Sequence, residues 1–440
     1  MKILLVSTNR DRWLATPPIG LAILTPILRK IGHIVQVLDL MYTKDPKGDL
    51  EKFITEFYPE VVGFSIRNLD NQDMLNSQSY LEEIKQFVGI AKESNVTTVL
   101  GGMAFTTLPS ELMEYMDADY GIVGQGERSF SLFAESFARG KDLSEIPGLV
   151  WRDGDNTKIN KQFSYGYAKT TVDWEAINLK KYKHSLLIPH VPIIVNSGCP
   201  YRCSFCNNQS IMGEKLFMRD IEAIIDDIKT LKYDYHIHNY FFVVTTFATR
   251  MDYIKELLER IINENLKIGF FTNIDPVSNC YDKELFELIV KAGGYFALMS
   301  ADSFSETMIQ NYQKPYTLDD IDNCSRLAKQ SGLKFGVELL FGGYGETNDT
   351  VKETMRFVPR INFSVFLHKI GVRILPNTQI YNLACQEGLI RDQKALLFPK
   401  FYVSRELDVK WAQKYIKNAV NKYNYRYSSL ITILGRILRA

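Results

Sequence analysis

Apolar and polar positions in the first third of the chain switch between two periods. KILLVS (2–7), IVQVLDL (34–40), VVGFSI (61–66), TTVLGG (97–102) and YGIVG (120–124) are short apolar runs of buried-strand length. Between them lie GLAILTPILRKIG (20–32), DLEKFITEFYPE (49–60), LEEIKQFVGIAKES (81–94), SELMEYM (110–116) and SFSLFAESFARG (129–140), all with apolar residues at helical spacing. The first of these stops on Gly32, a helix-ending residue. Strand–helix alternation at this spacing predicts a parallel, doubly wound sheet. In such sheets ligands bind where loops leave the carboxyl ends of strands. Those loops are STNRDRWLATPPIG (7–20), RNLDNQD (67–73), GGMAFTT (101–107) and GQGERS (124–129), filled with glycine and small polar residues.

A turn-rich passage at 141–187, containing GLVWRDGD and DWEAINLKKYKH, is expected to be an irregular connector. From VPIIV (191–195) a second alternation begins. Its strands are NYFFVVTTF (239–247), KIGFFTNI (267–274), YFALMSAD (295–302), KFGVELLFGG (334–343) and a last run, KIGVRILP (369–376). Helical segments separate them, from IEAIIDDIKTL (221–231) to VKETMRFVPR (351–360). About six βα units predict an open, partial (β/α)6 TIM-like barrel in place of a closed eight-unit one. The expected organisation is therefore α/β: a Rossmann-like domain over 1–140, the connector, a partial barrel over 188–395, and a small helical extension over 396–440. That extension ends in SSLITILGRILRA and carries Tyr402, Trp411, Tyr415 and Tyr423, which either cover the barrel mouth or simply pack.

Composition narrows the function classes. The chain has 440 residues, 46% hydrophobic and 23% charged, with a formal charge of +1. That balance offers no general attraction to nucleic acid or to an anionic membrane. No apolar run approaches the roughly 20 residues of a membrane span, so no transmembrane segment is expected. MKILLVSTNRDRW leads straight into a strand, unlike a signal peptide, and the expected location is cytoplasmic. In a reducing compartment clustered cysteines are metal ligands or redox groups more often than disulfides.

SGCPYRCSFCNN (197–208) holds such a cluster. Cys199, Cys203 and Cys206 follow Gly198 at C-x3-C-x2-C spacing, while Cys280, Cys324 and Cys385 stand alone. Thiolates suit zinc and iron–sulfur clusters. Structural zinc closes with four ligands, and His184, His190, His236 and His238 lie at no fitting spacing. Three ligands on a four-iron cluster leave one iron open for chemistry. The other readings are buried free thiols and a zinc site completed from elsewhere in the chain.

CPYRCSFC, at the end of the first strand of a partial barrel, resembles the signature of radical S-adenosylmethionine (SAM) enzymes. In that family three cysteines hold a [4Fe–4S] cluster, SAM chelates the fourth iron, and its cleavage gives a 5′-deoxyadenosyl radical. The resemblance places Phe205 against the adenine. KAGGYFALMSADSFSETMIQNYQKPYT (291–317) is similar to the family's A-G…G-x-E-S…K-x-x-T stretch, with Asp302–Ser303 for Glu–Ser and Lys314 and Thr317 matching. LLFGGYGETNDT (339–350) resembles the G-x-P-G-E-T turn, and GVRILPNTQIYNLACQEGLI (371–390) the G-I-R-I-Y-P-G-T strand. By this likeness Phe205, Thr245, Thr246, Asn273, Asp302, Ser303, Gly343, Glu346 and Arg373 would contact SAM, Arg373 reaching cofactor or substrate. The plain alternatives are that Ser303 caps a helix and Gly342–Gly343 makes a turn. The second barrel strand departs from the pattern. It ends VVTTFA, so Thr245 and Thr246 stand where a carboxylate-bearing pair is usual.

The upstream domain resembles the cobalamin-binding domain of B12-dependent radical SAM enzymes, through PPIGLAIL (17–24), VVGFSI, LGGMAFTTLP (100–109) and GIVGQGE (121–127). The likeness implies cobalamin contacts from Pro18, Gly20, Ser65, Arg67, Asn68, Gly101, Gly102, Gly124, Gly126 and Glu127. The D-x-H-x-x-G motif that supplies a cobalt ligand in other cobalamin proteins is absent. His33 is the only histidine of the domain, so Arg67, Asn68 or Asn71 would line the lower cobalt face. A dinucleotide site is the rival reading, but no G-x-G-x-x-G follows the first strand. The resemblance implies a methyltransferase acting on an unactivated carbon or phosphorus centre through methylcobalamin and a 5′-deoxyadenosyl radical. Rearrangement, cyclisation or ring contraction is the alternative chemistry, and an iron–sulfur or corrinoid carrier the alternative class. The implied partners are a small-molecule or peptide substrate and an electron donor such as flavodoxin or ferredoxin.

Overall fold

The computed structural model describes residues 1–11, 15–154, 156–162, 170–182, 191–361 and 363–422. The first sheet runs in the order β2-β1-β3-β4-β5-β6-β7. β1 (Lys2–Ser7), β2 (Ile34–Asp39), β3 (Val61–Ser65), β4 (Thr97–Gly101) and β5 (Tyr120–Ile122) are parallel, as expected. Within β1, Ile3 and Leu5 face one side, and Leu4 and Val6 the other. Because both faces are covered, the strand reads as an unbroken apolar run instead of an alternation. On one side α1 (Ile19–Lys30) brings Leu21 and Leu28 against Phe130 and Phe133 of α6 (Gly126–Ala138). On the other, α2 (Pro46–Phe57), α3 (Leu81–Glu93) and α5 (Pro109–Met116) contribute Leu50, Ile54, Ile84, Phe87 and Leu112. The short α4 (Met103–Thr107) lies at the carboxyl end of β4.

The 141–187 passage is not wholly irregular. β6 (Leu149–Asp153) and β7 (Asn156–Ile159) form a hairpin that extends the first sheet antiparallel to β5. Its outer residues are largely exposed, as suits an edge, and so leave little periodic signal.

The second sheet has six parallel strands in the order β15-β14-β13-β12-β11-β8, an open partial barrel. After β8 (Val191–Ile194), β9 (Asn196–Ser197) pairs antiparallel with β10 (Phe217–Met218), and these bracket α7 (Asn208–Met212). Then β11 (Asn239–Val243), β12 (Gly269–Ile274), β13 (Gly294–Asp302), β14 (Lys334–Phe341) and β15 (Val365–Ile370) follow. The intervening helices are α8 (Ile221–Tyr233), α9 (Met251–Asn263), α10 (Lys283–Lys291), α11 (Glu306–Asn311), α12 (Leu318–Gln330) and α13 (Asn348–Phe357).

The last strand was expected over 369–376. It starts instead at Val365 and stops at Gly371, where φ is +89 and a Cβ would sit 2.5 Å from Met74 Sδ of the first domain. Beyond this turn β16 (Val372–Arg373) pairs antiparallel with β17 (Phe401–Tyr402), enclosing α14 (Gln379–Gln386). Val372, Ile380, Ala384, Leu396 and Tyr402 share a core with Phe64, Phe87 and Leu112. The segment 372–402 is therefore a strap over the first domain, and the hydrophobic cores divide the C-terminal part differently from the expected 188–395 and 396–440. α15 (Val409–Lys422) returns to the barrel core through Ala412, Ile416 and Val420. Trp411 stacks on Tyr415 at 4.7 Å with Lys352 Nζ 5.5 Å from the indole, so these aromatics pack. The final SSLITILGRILRA and Tyr423 lie outside the described residues. Among those described, no helix is long and apolar enough to cross a membrane.

Candidate active site

The cysteine loop leaves the barrel through Gly198, at φ +84, where a Cβ would stand 2.0 Å from the Lys215 carbonyl oxygen. Cys199 N donates to Gly213 O at 3.0 Å, and Cys206 N to Cys203 O at 3.1 Å. Ser204 N donates to Tyr312 O at 2.9 Å, while Ser204 O accepts from Ile380 N of α14 at 3.0 Å. The loop is thus pinned by the barrel on one side and the strap on the other. Burial pushes all three thiols up, Cys206 to about 11, and the sulfurs of Cys199 and Cys203 raise it further. Backbone N–H groups of Tyr201 and Asn208 face Cys199 and Cys206, and the Lys314 ammonium faces Cys203.

The donor set fits an iron–sulfur cluster. Three desolvated thiols close enough to perturb one another call for a cationic centre, with N–H groups ready to meet the sulfurs. Among the described residues no three His, Cys, Asp or Glu side chains close around a single ion, and the thiolates of a polynuclear cluster stand wider apart than those of one zinc. The hydroxyls of Ser197, Ser204 and Thr246 are buried without a partner among the described residues, and such groups ordinarily find one.

The expected SAM residues divide. Phe205 is held edge-on to Tyr312 at 5.3 Å, with Lys314 Nζ 5.6 Å from its ring. Asp302, at the end of β13 with φ +55, pairs with Lys314 at 2.6 Å. Asn273 is half-buried on β12. Thr245 is committed elsewhere: its N–H and hydroxyl reach Asn196 Oδ1 at 2.8 and 3.0 Å, and its hydroxyl also donates to Gly198 O. Ser303 closes its own turn ahead of α11, whose N-cap position is Ser305. It is 1% exposed, shares a 3.1 Å hydrogen bond with Thr354, and accepts from Ser305 N at 3.1 Å. Gly343 packs on Tyr312, whose hydroxyl accepts from Gly343 N at 3.2 Å. Glu346 is fully buried, accepts from Gly342 N at 3.3 Å and from the Thr350 hydroxyl, and closes its turn; desolvation lifts its pKa to about 7.

Arg373 requires a correction. Expected at the cofactor or substrate, it is instead buried in an ion pair with Asp70 at 2.8 Å and donates to Ile374 O and Leu396 O, each at 2.8 Å. It joins the strap to the β3–α3 loop. Sequence reasoning missed Asp275, just past β12. The charge of Asp275 is felt at Cys199 and Cys203, and burial raises its pKa to about 6. Its signal was positional, a carboxylate directly after FFTNI at a strand's carboxyl end. Tyr201 was missed too; its hydroxyl lies 3.2 Å from Thr249 Oγ1.

In the first domain the predicted cobalamin residues gather at the carboxyl ends of the strands. Gly101 and Gly102 end β4, and a Cβ on Gly102 would stand 2.5 Å from Ile66 O, so β3 already requires that glycine. Ser65 O, at the end of β3, accepts from the Thr8 hydroxyl at 2.9 Å. Arg67 donates to the Thr16 hydroxyl, with the half-buried Asn68 beside it. Asn71 closes its own loop onto Asn76 O and Gln78 N, at 2.7 and 3.1 Å. Gly124 N donates to Thr106 Oγ1 at 2.9 Å, and Gly126 and Glu127 open α6, where burial raises the Glu127 carboxyl. Pro18 and Gly20 flank the start of α1, with open space over Gly20. His33 sits at the opposite edge, its ring 3.4 Å from the Met1 amino group. The two candidate sites meet: α4 packs on α7, and Asn207 Nδ2 donates to Thr107 Oγ1 at 3.3 Å.

Residues 193–358 match the Radical SAM superfamily, and residues 13–134 match the B12 binding domain. An uncharacterized methyltransferase of Pyrococcus horikoshii is 23% identical over 89% of this chain and 84% of its own. The tryptophan 2-C-methyltransferase of Streptomyces laurentii is 23% identical over 82% of this chain and 70% of its own. In fold, the chain is similar to the radical SAM methyltransferase TsrM from Kitasatospora setae, solved with cobalamin and a [4Fe–4S] cluster, at a TM-score of 0.86 and 21% identity over 100% of this chain and 96% of that one. With a B12-binding sheet in front, a radical SAM barrel behind it and three cysteines where the two meet, the chain belongs to the cobalamin-dependent radical SAM enzymes.

Proposed function

We propose that the protein is a methyltransferase, moving a methyl group from SAM by way of cobalamin to an unactivated carbon or phosphorus centre in a small molecule or peptide. The observation that carries this reading is the contact between Asn207, next to Cys206, and Thr107 of the β4–α4 turn at 3.3 Å. It joins the loop suited to the cluster to the loop suited to the corrinoid. When bound, the cluster would supply an electron for SAM cleavage and cobalamin would carry the methyl group. The chain itself binds and orients. Cys199, Cys203 and Cys206 would hold the iron, Phe205 would offer an aromatic face to adenine, and Arg67 and Asn68 would line the corrin site. No side chain is required to transfer a proton. The electron donor is a flavodoxin or ferredoxin in this reading, and a reducing cytoplasm suits the thiols.

Anaerobic reconstitution with iron, sulfide, hydroxocobalamin, SAM and dithionite, in the presence of candidate substrates, tests it. The expected products are a methylated compound, S-adenosylhomocysteine and 5′-deoxyadenosine. 5′-Deoxyadenosine without S-adenosylhomocysteine would favour rearrangement or cyclisation, and intact SAM a carrier. Cys203→Ala should abolish SAM cleavage; retained cleavage would remove the cluster assignment.

A further inference from the structure

The barrel interior holds a carboxylate that the steps above do not use. On β14, Val337, Leu339 and Phe341 pack outward into the core shared with Ile321 and Val351 of the surrounding helices, so Gly336, Glu338 and Leu340 face the interior. A Cβ on Gly336 would stand 2.9 Å from the Phe296 ring and 3.0 Å from Val365 Cβ, as that face requires. Phe296 and Val365 form an apolar floor there with Phe271, Leu298 and Leu367, and Phe271 stacks on Phe241 at 4.3 Å. Glu338 stands one step nearer the carboxyl ends, in register with Leu367 of β15. One step further, Leu340 O accepts from the Tyr312 hydroxyl at 2.9 Å, and the Tyr312 ring meets Phe205 of the cysteine loop at 5.3 Å. Glu338 therefore lies between the apolar floor and the loop that carries the thiols.

Its surroundings remove water without replacing it. Burial raises the carboxyl, with Asp302 adding to this and Lys369 and Lys314 offsetting part. Among the described residues Glu338 has no hydrogen bond and no ion pair. The residue is half-buried and its oxygens are not sealed off, so they stay open to a molecule entering the barrel. A desolvated carboxylate left open and partnerless costs the fold stability, and it fits a ligand that brings a positive charge with N–H donors.

We propose that Glu338 is a substrate-recognition residue, receiving a protonated amine of the substrate whose apolar part lies on the floor formed by Phe296 and Leu367. The substrate class is thus an amine with an apolar skeleton. The assignment rests on the barrel interior being the substrate site of the methyltransferase proposed above.

The test uses anaerobic protein loaded with cluster, cobalamin and SAM, and a matched set of probes: phenethylamine, phenethyl alcohol and hydrocinnamate. In equilibrium dialysis phenethylamine should bind at least about tenfold tighter than the alcohol, the scale of a charge-assisted hydrogen bond, with hydrocinnamate weakest. Glu338→Gln should bring phenethylamine down to the level of the alcohol, and Glu338→Asp should keep part of the preference. SAM affinity, iron content and melting temperature should hold in Glu338→Gln, since the carboxylate has no partner to lose. An amine that binds no tighter than the alcohol overturns the proposal, and so does a preference that survives Glu338→Gln. SAM affinity lost in Glu338→Gln would also overturn it, by making the carboxylate part of the SAM site. A lower melting temperature in that variant would do the same by revealing a structural partner. An amine preference that depends on Glu338, without any methylated product, would leave this assignment intact while removing the methyltransferase. Methylation of a substrate without a basic nitrogen, unaffected by Glu338→Gln, would do the reverse.

Discussion

A methyl group on residue 198 would stand 2.0 Å from the Lys215 carbonyl oxygen, at a φ of +84 that side chains rarely adopt. Gly198→Ala should therefore move the first cysteine of the loop. We expect reduced iron content after anaerobic reconstitution and a lower melting temperature; full iron loading would show that the loop adapts. Glu346 gives a prediction in pH. Its folded pKa, raised by desolvation to about 7, lies above the unfolded carboxylate value, so the native state binds the extra proton. Stability should fall as pH rises from about 4.5 to 7, by an amount on the order of 3 kcal/mol from this residue, and level off above. Glu346→Gln should flatten that part of the melting-temperature profile; two parallel profiles would count against the assignment. The chemistry of both positions was partly legible, since each lies in a recognisable motif. Their roles were not: motif matching placed Glu346 at the cofactor, whereas its two hydrogen bonds stay within its own turn.

At the scale of elements, the end of β11 fixes the start of the cysteine loop. Thr245 ties Asn196 and the Gly198 carbonyl to the second barrel strand. Thr245→Val should cost about 1 kcal/mol for the lost hydrogen bonds and loosen iron retention through gel filtration. Thr245→Ser should keep the iron; loss in Thr245→Ser with retention in Thr245→Val would mean that the methyl group, not the hydroxyl, matters. Strands with two covered faces announced themselves, which is why β1 to β4 and β11 to β14 lie near their expected places. β6, β7 and β16 did not, being half-exposed edges or two-residue pairings. The sixth barrel strand was misplaced because His368 interrupts VFLHKI and Gly371 ends it, whereas the apolar run in the sequence continues to Ile374.

For the whole molecule the critical tie is Asp70–Arg373, two side chains 1% and 4% exposed, joining residues 303 apart in sequence. Removing one partner of a buried pair leaves an uncompensated charge. Asp70→Ala should destabilise by about 3–5 kcal/mol in chemical denaturation, and Asp70→Asn by less because it keeps an acceptor for Arg373. Values within error of wild type for both would show that the strap holds without the pair. The latch also anchors the loop bearing Arg67 and Asn68, so Asp70→Ala should weaken hydroxocobalamin binding as well. By itself the sequence determined the two alternations, the order of the domains and three thiols in one loop, because periodicity and spacing are local properties of a chain. Only the tertiary structure decided that Arg373 holds a strap and that the charge of Asp275 is felt at Cys199 and Cys203. A polar side chain's partner depends on which distant segment folds against it, and no local pattern records that contact.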